Sequence, residues 1–303
     1  MNQNFYDKLK KILSEEQIKL QEPMEDHTTF RIGGPADYFV MPEKNKEVQS
    51  VVACCREYDI PYYVIGNGSN LLVSDQGFRG VIIQIFKNMN VISIEENVVT
   101  AQAGALLSTV AARALEHELA GFEFAAGIPG TLGGACVMNA GAYGGEMKQV
   151  LKEVTVMNQQ GEIFVIPAEE LELGYRTSRI AKEDLIVLEA KIELHRGDAK
   201  EIKGLMDELR EKRVTKQPLE YPSAGSTFKR PEGYFAGKLI QDSNLRGFSV
   251  GGAQVSEKHC GFVINKDHAT AADVSELMCQ VSEKVKENFG VTLEPEVKRL
   301  GEF

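Results

Sequence analysis

Several features that would define other classes of protein are missing from this 303-residue chain. No apolar run approaches the length of a bilayer span, and the first ten residues lack a signal-peptide core, so we expect a cytoplasmic protein with no membrane partner. Five cysteines form an odd set without any C-x-x-C, which argues against a disulfide framework or a structural zinc site. Five scattered histidines offer no H-E-x-x-H, and we expect no metal.

Positive charge is also scarce. The chain has 34 Lys and Arg against 44 Asp and Glu, a net charge of −10, which is the wrong sign for general nucleic-acid binding. Any anionic ligand would therefore need a local basic cluster. With 43% hydrophobic and 26% charged residues the composition is that of a globular protein, and the length favours two or three domains.

Hydrophobic periodicity predicts short helices and strands in alternation, without internal repeats. Two helices are expected at the start, the second from the capping-box sequence Ser14–Gln17, and one of the later helices should turn Ile202, Leu205, Met206 and Leu209 inward. The predicted helices are 5–13, 45–59 with Asn45 as cap, 106–119, one opening at Asp198, 235–242 and 270–289. The predicted strands are 36–41, 61–65, 80–86, 91–95, 98–103, 154–157, 163–166, 185–194, 261–265 and 291–300. A basic, two-proline connector at 212–226 marks the start of a C-terminal domain.

The richest concentration of small residues is the stretch 125–145, where seven of twenty-one residues are glycine and five are alanine. Glycine collects where the backbone needs positive φ or where another group approaches it closely. Thr131 is placed to cap a short helix from Leu132, whose free N–H groups suit a phosphate or an electron-rich ring edge. Tight packing of a loop-rich core is the alternative interpretation.

A second glycine cluster, at 66–74, begins like a dinucleotide fingerprint after a predicted strand. It then departs from the fingerprint, because Leu71 replaces the third glycine and neither an amphipathic helix nor a ribose-binding acid follows. A Rossmann domain is therefore not expected. Successive N–H groups with Ser69 and Asn70 can still form a nest for a pyrophosphate.

Five ordered motifs resemble the family of UDP-N-acetylenolpyruvoylglucosamine reductases, over about 28–299. They are Gly66-Asn-Gly-Ser-Asn-Leu71, Ala126-Gly-Ile-Pro-Gly130 with Asn139-Ala-Gly-Ala-Tyr-Gly144, Gly174-Tyr-Arg-Thr-Ser178, Ala224-Gly-Ser-Thr-Phe-Lys-Arg-Pro231 and Leu293-Glu-Pro-Glu-Val297. The resemblance implies an α+β protein with the vanillyl-alcohol-oxidase-type (PCMH-type), two-subdomain FAD-binding fold and a C-terminal α+β substrate domain. The implied boundaries are 1–75, 76–214 and 215–303.

The resemblance also implies an activity. NADPH reduces bound FAD, and the enolpyruvyl ether of UDP-N-acetylglucosamine is then reduced to UDP-N-acetylmuramate, a step in peptidoglycan precursor (cell wall) synthesis. The short segment after Arg176 is similar to the family type that lacks an extra tyrosine-bearing loop. We expect a monomer whose partners are that substrate and NADPH, and no nucleic acid.

The resemblance, together with the need for a local basic cluster, also implies which residues form the site. Arg176 would meet negative charge on the reacting group, Ser226 would donate the proton, and Glu296 would support the enol-like intermediate. The alternative for each of these three is an ordinary surface or turn residue. For the basic and tyrosine residues named below, the alternatives are a solvated basic rim and core packing. The expected FAD-binding residues are Gly66, Asn67, Gly68, Ser69, Asn70, Leu71, Gly127, Ile128, Pro129, Gly130, Gly133, Gly134, Asn139, Ala140 and Gly141. The expected substrate-binding residues are Tyr143, Tyr175, Lys216, Lys229 and Arg230.

Two other functions stay open on the sequence alone. One is an oxidase or dehydrogenase of the same flavin fold that acts on an alcohol. The other is a nucleotide-sugar-binding protein without catalysis, which would purify colourless and without FAD.

Overall fold

Two hydrophobic cores organise the computed structural model, which describes residues 2–303. The first unit comprises 2–20, Tyr38–Asn67 and Gly80–Arg213, and the second comprises Gln21–Asp37, Gly68–Arg79 and Val214–Phe303. Each unit has its own set of buried apolar side chains. The division into 1–75, 76–214 and 215–303 stays a prediction.

The helices of the described chain agree with most of those predicted from periodicity. They are α1 Gln3–Ile12, α2 Asn45–Glu57, α3 Leu107–Glu116, α4 Leu132–Val137, α5 Arg179–Lys182, α6 Ala199–Lys216, α7 Ala236–Asp242 and α8 Ala271–Phe289. In α2 the predicted inward residues Val48, Val51, Val52 and Cys55 are buried. The same holds in α8 for its apolar series from Val274 to Val285. An apolar stripe at helical spacing is buried in both because it faces a core.

The strands are short. They are β1 Ile18–Pro23, β2 Pro35–Val40, β3 Tyr62–Ile65, β4 Leu71–Val73, β5 Phe78–Gln84, β6 Ile92–Glu95, β7 Val98–Gln102, β8 Leu119–Ala120, β9 Gly141–Ala142, β10 Gly145–Glu146, β11 Leu151–Met157, β12 Ile163–Pro167, β13 Ile186–Glu193, β14 His195–Arg196, β15 Ser249–Val250, β16 Ala253–Val255, β17 Val263–Asn265 and β18 Lys298–Leu300.

In the first unit, a five-stranded antiparallel sheet has the order β12-β11-β13-β7-β6. The predicted turn between β6 and β7 is present, and Glu96 adopts φ +55° there. In the sheet of order β1-β2-β5-β3, β3 runs parallel to β5, with Tyr62 opposite Val81. Gly66 follows β3 directly, so this pairing fixes where the first glycine cluster begins.

In the second unit, β15, β16 and β17 form an antiparallel sheet, and β18 lies parallel to β4 with Lys298 opposite Leu71. The long helix α8 begins at a capping box made by Thr270 and Asp273. Asp75 supplements this cap, since its carboxylate accepts the N–H groups of Ala271 at 2.7 Å and Ala272 at 3.0 Å. Parallel pairing with β4 therefore holds the end of the chain beside the second half of the first glycine cluster.

Two predicted elements at the ends of the chain are wrong. The capping box at Ser14 forms, but it opens only the 3₁₀ turn Glu15–Gln17, and the chain then continues as β1. Of the predicted final strand only β18 forms, because the residues before it pair only through the isolated bridge of Phe228 with Pro295.

The predicted cap of α2 is displaced by one residue. Lys44 occupies the N-cap position that Asn45 was expected to fill.

The prediction for α6 is also wrong in part. Of its expected inward residues only Ile202 is buried, whereas Leu205 is 43% exposed. The helix runs on to Lys216, so the predicted connector starts inside it. Nowhere in 2–303 does a helix combine the length and apolar character needed to cross a membrane.

Candidate active site

Within the first unit the two glycine-rich segments contact each other. A Cβ atom added at Gly66, at the end of β3, would lie 2.2 Å from Oγ1 of Thr131, so only glycine fits there. The next residue, Asn67, donates from Nδ2 to the carbonyl of Pro129 at 2.8 Å. The end of β3 is thereby tied to the turn that precedes α4.

Packing against protein explains several glycines of the central stretch. An added Cβ would lie 2.8 Å from Cβ of Ala103 at Gly133, 2.4 Å from the ring of Phe124 at Gly145, and 2.6 Å from a carbonyl oxygen at Gly141. The alternative interpretation, a tightly packed core crossing, therefore applies to these three positions. Whether Gly133 and Gly141 also bind a cofactor stays a prediction.

Other glycines of the stretch present unused backbone donors. Gly127 and Gly134 are exposed and Gly130 is partly buried, and across residues 2–303 their N–H groups donate to no protein acceptor. At Gly134 an added Cβ would meet nothing closer than Oγ1 of Thr131 at 3.7 Å. Thr131 is the N-cap residue of α4, as predicted, but its side chain makes no capping bond. Of the first three N–H groups of α4, those of Leu132 and Gly133 donate to the carbonyls of Ala105 and Ala103, so the N–H of Gly134 is the one available to an electron-rich ligand.

The other cofactor residues expected in this stretch lie around those donors. Ile128 is partly buried and Pro129 is exposed. Ala140 is buried, and its carbonyl accepts the N–H of Met147. The N–H groups of Ile128 and Ala140 donate to the carbonyls of Ala125 and Ala135, and proline has no N–H, so these three residues offer no free N–H donor.

The second unit contains the rest of the first glycine cluster. Gly68 has φ +60°, and an added Cβ would lie 2.1 Å from the carbonyl oxygen of His27, so the left-handed turn needs glycine. The N–H groups of Gly68, Ser69 and Asn70 donate to no acceptor in the described chain. Leu71 is buried at the start of β4. Three successive free donors ahead of a strand are an anion-binding arrangement.

Arg176 occupies a strained turn of the first unit. Gly174 and Thr177 pair as an antiparallel bridge, so Tyr175 and Arg176 form the tip of a tight turn. Arg176 adopts φ +55°, and its guanidinium carbon lies 5.3 Å from the centre of the Tyr175 ring. Tyr175 is 55% exposed. Left-handed backbone at a non-glycine residue is costly and recurs at functional sites.

Asn139 connects this turn to the glycine-rich stretch. Its Nδ2 donates to the carbonyl of Gly174 at 3.1 Å and to Oε2 of Glu146 at 3.0 Å, and its Oδ1 accepts the N–H of Lys148 at 2.9 Å. The residue is buried, at 2% exposure. Its side-chain amide is therefore committed to protein partners, and its backbone N–H donates to the carbonyl of Cys136 at 3.5 Å, so contact between Asn139 and a cofactor stays a prediction.

Ser226 and Glu296 lie on paired segments of the second unit. The residue after Ser226, Thr227, is buried, and its carbonyl accepts the N–H of Glu296 at 2.8 Å. Asn70 holds the other side of Glu296 by donating from Nδ2 to its carbonyl at 3.2 Å. Gly225 precedes Ser226 with φ +77°. Within 2–303 the hydroxyl of Ser226 forms no hydrogen bond.

The predicted substrate-binding residues differ in how they are held. Lys229 pairs with Glu294 at 3.2 Å on the surface. Arg230 stacks on Phe235, with its guanidinium carbon 3.9 Å from the ring centre. Lys216 is exposed at the last position of α6. In the first unit, Tyr143 is 44% exposed with φ +54°.

Arg213 is a charged residue that the sequence motifs did not identify. A Cβ atom added at Gly127 would lie 3.2 Å from its Cδ and 3.7 Å from its Nη1, so the side chain lies along the glycine-rich turn. Burial lowers the pKa of the Arg213 guanidinium, and nearby Tyr143 opposes this shift. Its only signal in the sequence was its place in a basic run.

The described residues contain no group of three or more His, Cys, Asp or Glu side chains that could hold a metal ion.

Comparison with known proteins defines the class first. Residues 36–166 match the model of an FAD binding domain. The fold is similar to that of Phl p 4.0202, a glucose dehydrogenase, with a TM-score of 0.51 at 13% identity over 93% of this chain and 59% of that one. The chain thus has the vanillyl-alcohol-oxidase-type (PCMH-type) FAD-binding fold with a C-terminal α+β domain, as predicted.

The family is shown by nearer relatives. Residues 217–300 match the model described as UDP-N-acetylenolpyruvoylglucosamine reductase, C-terminal domain. The chain is 54% identical to the UDP-N-acetylenolpyruvoylglucosamine reductase of Clostridioides difficile (strain 630) over 301 residues, 99% of each chain. A solved structure of that reductase from Thermus caldophilus matches with a TM-score of 0.81 at 34% identity, over 94% of this chain and 100% of that one. The chain belongs to the UDP-N-acetylenolpyruvoylglucosamine reductase family, and the predicted family membership is confirmed.

The residues described above fit FAD. In the first unit, Gly127, Gly130 and Gly134 have free N–H groups of the kind that phosphate and ring oxygens of a dinucleotide accept. The second unit, described by itself, has donors of the same kind at 68–70. Exposed glycine backbone at Gly134 leaves a flat ring room to approach. The role of each residue stays a prediction.

Proposed function

We propose that this protein reduces the enolpyruvyl ether of UDP-N-acetylglucosamine to UDP-N-acetylmuramate with NADPH as reductant. When bound, FAD carries the two electrons from NADPH to the substrate. The chain's own residues must bind the anionic substrate, meet the charge that develops on it and deliver one proton.

Arg176 is proposed to meet the developing charge. Reduction of an enolpyruvyl group passes through an enolate next to a carboxylate, and such charge is stabilised by donors fixed in advance. A guanidinium stays charged and offers two parallel N–H donors to a carboxylate. The tight turn Gly174–Thr177 and the hydrogen bond from Asn139 support this role, because they restrict where the Arg176 backbone can move.

Ser226 is proposed to donate the proton, with Glu296 beside it. The observation that carries this proposal is the hydrogen bond of 2.8 Å from the Glu296 N–H to the carbonyl of Thr227, the residue next to Ser226. A serine hydroxyl is a weak acid, but an enolate carbon is a strong base, and a fixed position compensates for part of the mismatch. Glu296, at 8% exposure, is proposed to stabilise the enol-like intermediate by hydrogen bonding.

The remaining substrate contacts are proposed from charge. Lys216 and Arg230 would meet the UDP diphosphate or the carboxylate, and Lys229 would have to exchange its surface pair with Glu294 to do so. Tyr143 and Tyr175 would line the sugar or the flavin face, for which their exposure is favourable.

The test is the Ser226→Ala variant. We expect it to retain FAD and the bleaching of the flavin absorbance by NADPH, and to lose reoxidation of the flavin by the enolpyruvyl substrate. Ser249→Ala, which removes an exposed hydroxyl on β15, is the matched control and should turn over normally. Turnover of Ser226→Ala at the wild-type rate would refute the proton-donor assignment, and a colourless wild-type protein would refute the whole function.

We further propose that the protein acts as a cytoplasmic monomer without a nucleic-acid partner. The net charge of −10 supports the last point because it opposes binding to a polyanion. Light scattering of the FAD-loaded protein checks the oligomeric state, and a dimer mass would contradict this part alone.

A further inference from the structure

Arg213 is a partly buried cation of the first unit with no protein partner. It lies near the end of α6, and its Nη1 and Nε would be 3.7 and 3.9 Å from a Cβ atom added at Gly127. Within 2–303 its guanidinium forms neither an ion pair nor a hydrogen bond. Burial lowers the pKa of the Arg213 guanidinium, and the side chain that opposes this shift is the nearby phenol of Tyr143 and not a carboxylate.

The other cations of α6 behave differently. Lys203 pairs with Asp207 at 2.7 Å and Lys212 pairs with Glu208, and all four side chains are about half exposed. These are ordinary i, i+4 surface pairs. Arg210, one turn of the helix before Arg213, is exposed to water. Arg213 is therefore the α6 cation that is both withdrawn from water and left without an acidic neighbour.

Such a placement is costly unless an anion completes it. Burial of a charge without a partner is penalised, and burial lowers the pKa of this guanidinium, the direction expected when desolvation is not offset. The surface that Arg213 lies along is also the one with free donors, since Gly127 and Gly130 both present unused N–H groups. A cation and several N–H groups on one surface together favour a negatively charged oxygen.

We propose that Arg213 is a cofactor-binding residue that contacts a negatively charged oxygen of FAD next to the Gly127 turn. The oxygen belongs either to the diphosphate of the dinucleotide or to the pyrimidine end of the reduced ring system. This inference rests on the FAD site of the proposed function. It adds Arg213, with its positive charge, to the residues that bind FAD. It makes α6 the element that brings positive charge to the glycine-rich turn.

The experiment compares full-length Arg213→Met and Arg213→Lys with Arg210→Met, which removes the same charge from an exposed position of the same helix. The first readout is FAD release from diluted holoenzyme, followed by flavin fluorescence. The second is the midpoint potential of the bound flavin. The third is thermal unfolding with and without added FAD.

If the oxygen is on the diphosphate, Arg213→Met should weaken FAD binding at least tenfold and leave the midpoint potential unchanged. If it is on the ring, the reduced flavin should lose at least tenfold more affinity than the oxidised flavin, which lowers the potential by about 30 mV. In both cases Arg213→Lys should recover part of the loss, and the FAD-free protein should unfold no earlier than wild type, because the variant removes an unpaired charge. Arg210→Met should match wild type throughout.

The proposal is overturned if Arg213→Met binds FAD as tightly as Arg210→Met does and at the same potential. It is also overturned if only affinity for the nucleotide-sugar substrate falls, or if the FAD-free variant is destabilised as much as the FAD-bound one. Should Arg213→Met fail to fold, Arg213→Lys takes its place, and normal FAD binding and potential in that variant overturn the proposal equally. If wild type itself binds no FAD, the proposed function fails first.

Discussion

Asn139→Ala should lower turnover, because it removes support from the turn that carries Arg176, and it should leave the binding of FAD unchanged. Asn139 makes three hydrogen bonds from a buried position, and one of them holds the carbonyl of Gly174, two residues before Arg176. Without it that carbonyl keeps only the N–H of Thr177, at 3.4 Å. The turn that carries Arg176 in left-handed backbone would then be free to relax.

The magnitude follows from the number of bonds. At about 1 kcal/mol for each, loss of the three bonds should lower the free energy of unfolding by about 3 kcal/mol. A displacement of Arg176 by about 1 Å should lower kcat by about 100-fold. FAD content should stay at the wild-type level, because the Asn139 amide is committed to protein partners.

Asn158→Ala is the matched control, since Asn158 also makes three hydrogen bonds but lies on the exposed turn between β11 and β12. We expect Asn158→Ala to lower the free energy of unfolding by about 1 kcal/mol or less and to leave kcat unchanged. Denaturant unfolding gives the stabilities, flavin absorbance gives the FAD content, and turnover of the enolpyruvyl substrate gives kcat and KM. An Asn139→Ala enzyme no slower than Asn158→Ala, or one that is slow only because it has lost FAD, would refute this reasoning.

Two further predictions concern the start of α8. Asp75→Ala removes the carboxylate that accepts the N–H groups of Ala271 and Ala272, and it should lower the free energy of unfolding by about 1–2 kcal/mol in denaturant titration; no loss would mean that Thr270 alone caps the helix. The backbone N–H of Thr270 holds the pKa of Asp273 below its usual range, so this carboxylate stabilises the fold above about pH 4 and stops doing so as the pH falls further. The stability difference between wild type and Asp273→Asn should therefore shrink below about pH 4, and a difference that grows there would contradict the sign.

Local patterns predicted the helices that face a core, and they failed where distant pairing decided the outcome. The capping box at Ser14 is present in both sequence and structure, yet no α-helix follows it. Residues from Ile18 onward instead join a sheet as the neighbour of β2. A helix cap stabilises a helix by about 1 kcal/mol. Pairing of a strand that also buries apolar side chains contributes more, so the strand forms.

Glycine density indicated the candidate site but did not separate its causes. Gly133 and Gly145 are glycines because Ala103 and Phe124 leave no room for a side chain, whereas a Cβ atom added at Gly134 would make only an ordinary contact, with Oγ1 of Thr131 at 3.7 Å. The sequence contains no sign of this difference, which depends on contacts far along the chain. Arg213 escaped notice for the same reason, since its burial arises only once α6 lies along Gly127.

Each unit contains an asparagine in its glycine-rich motif whose side chain supports a candidate catalytic segment. In the first unit Asn139 donates to the carbonyl of Gly174, and in the second Asn70 donates to the carbonyl of Glu296. A side-chain amide suits this task because its NH₂ group can donate to a carbonyl that the backbone N–H groups of the same turn do not reach. The backbone N–H of Asn70 is unused by protein, whereas that of Asn139 donates to the carbonyl of Cys136 at 3.5 Å. Asn70 can therefore direct its backbone toward a cofactor and its side chain toward the chemistry, which couples the placement of the two more tightly than separate residues would.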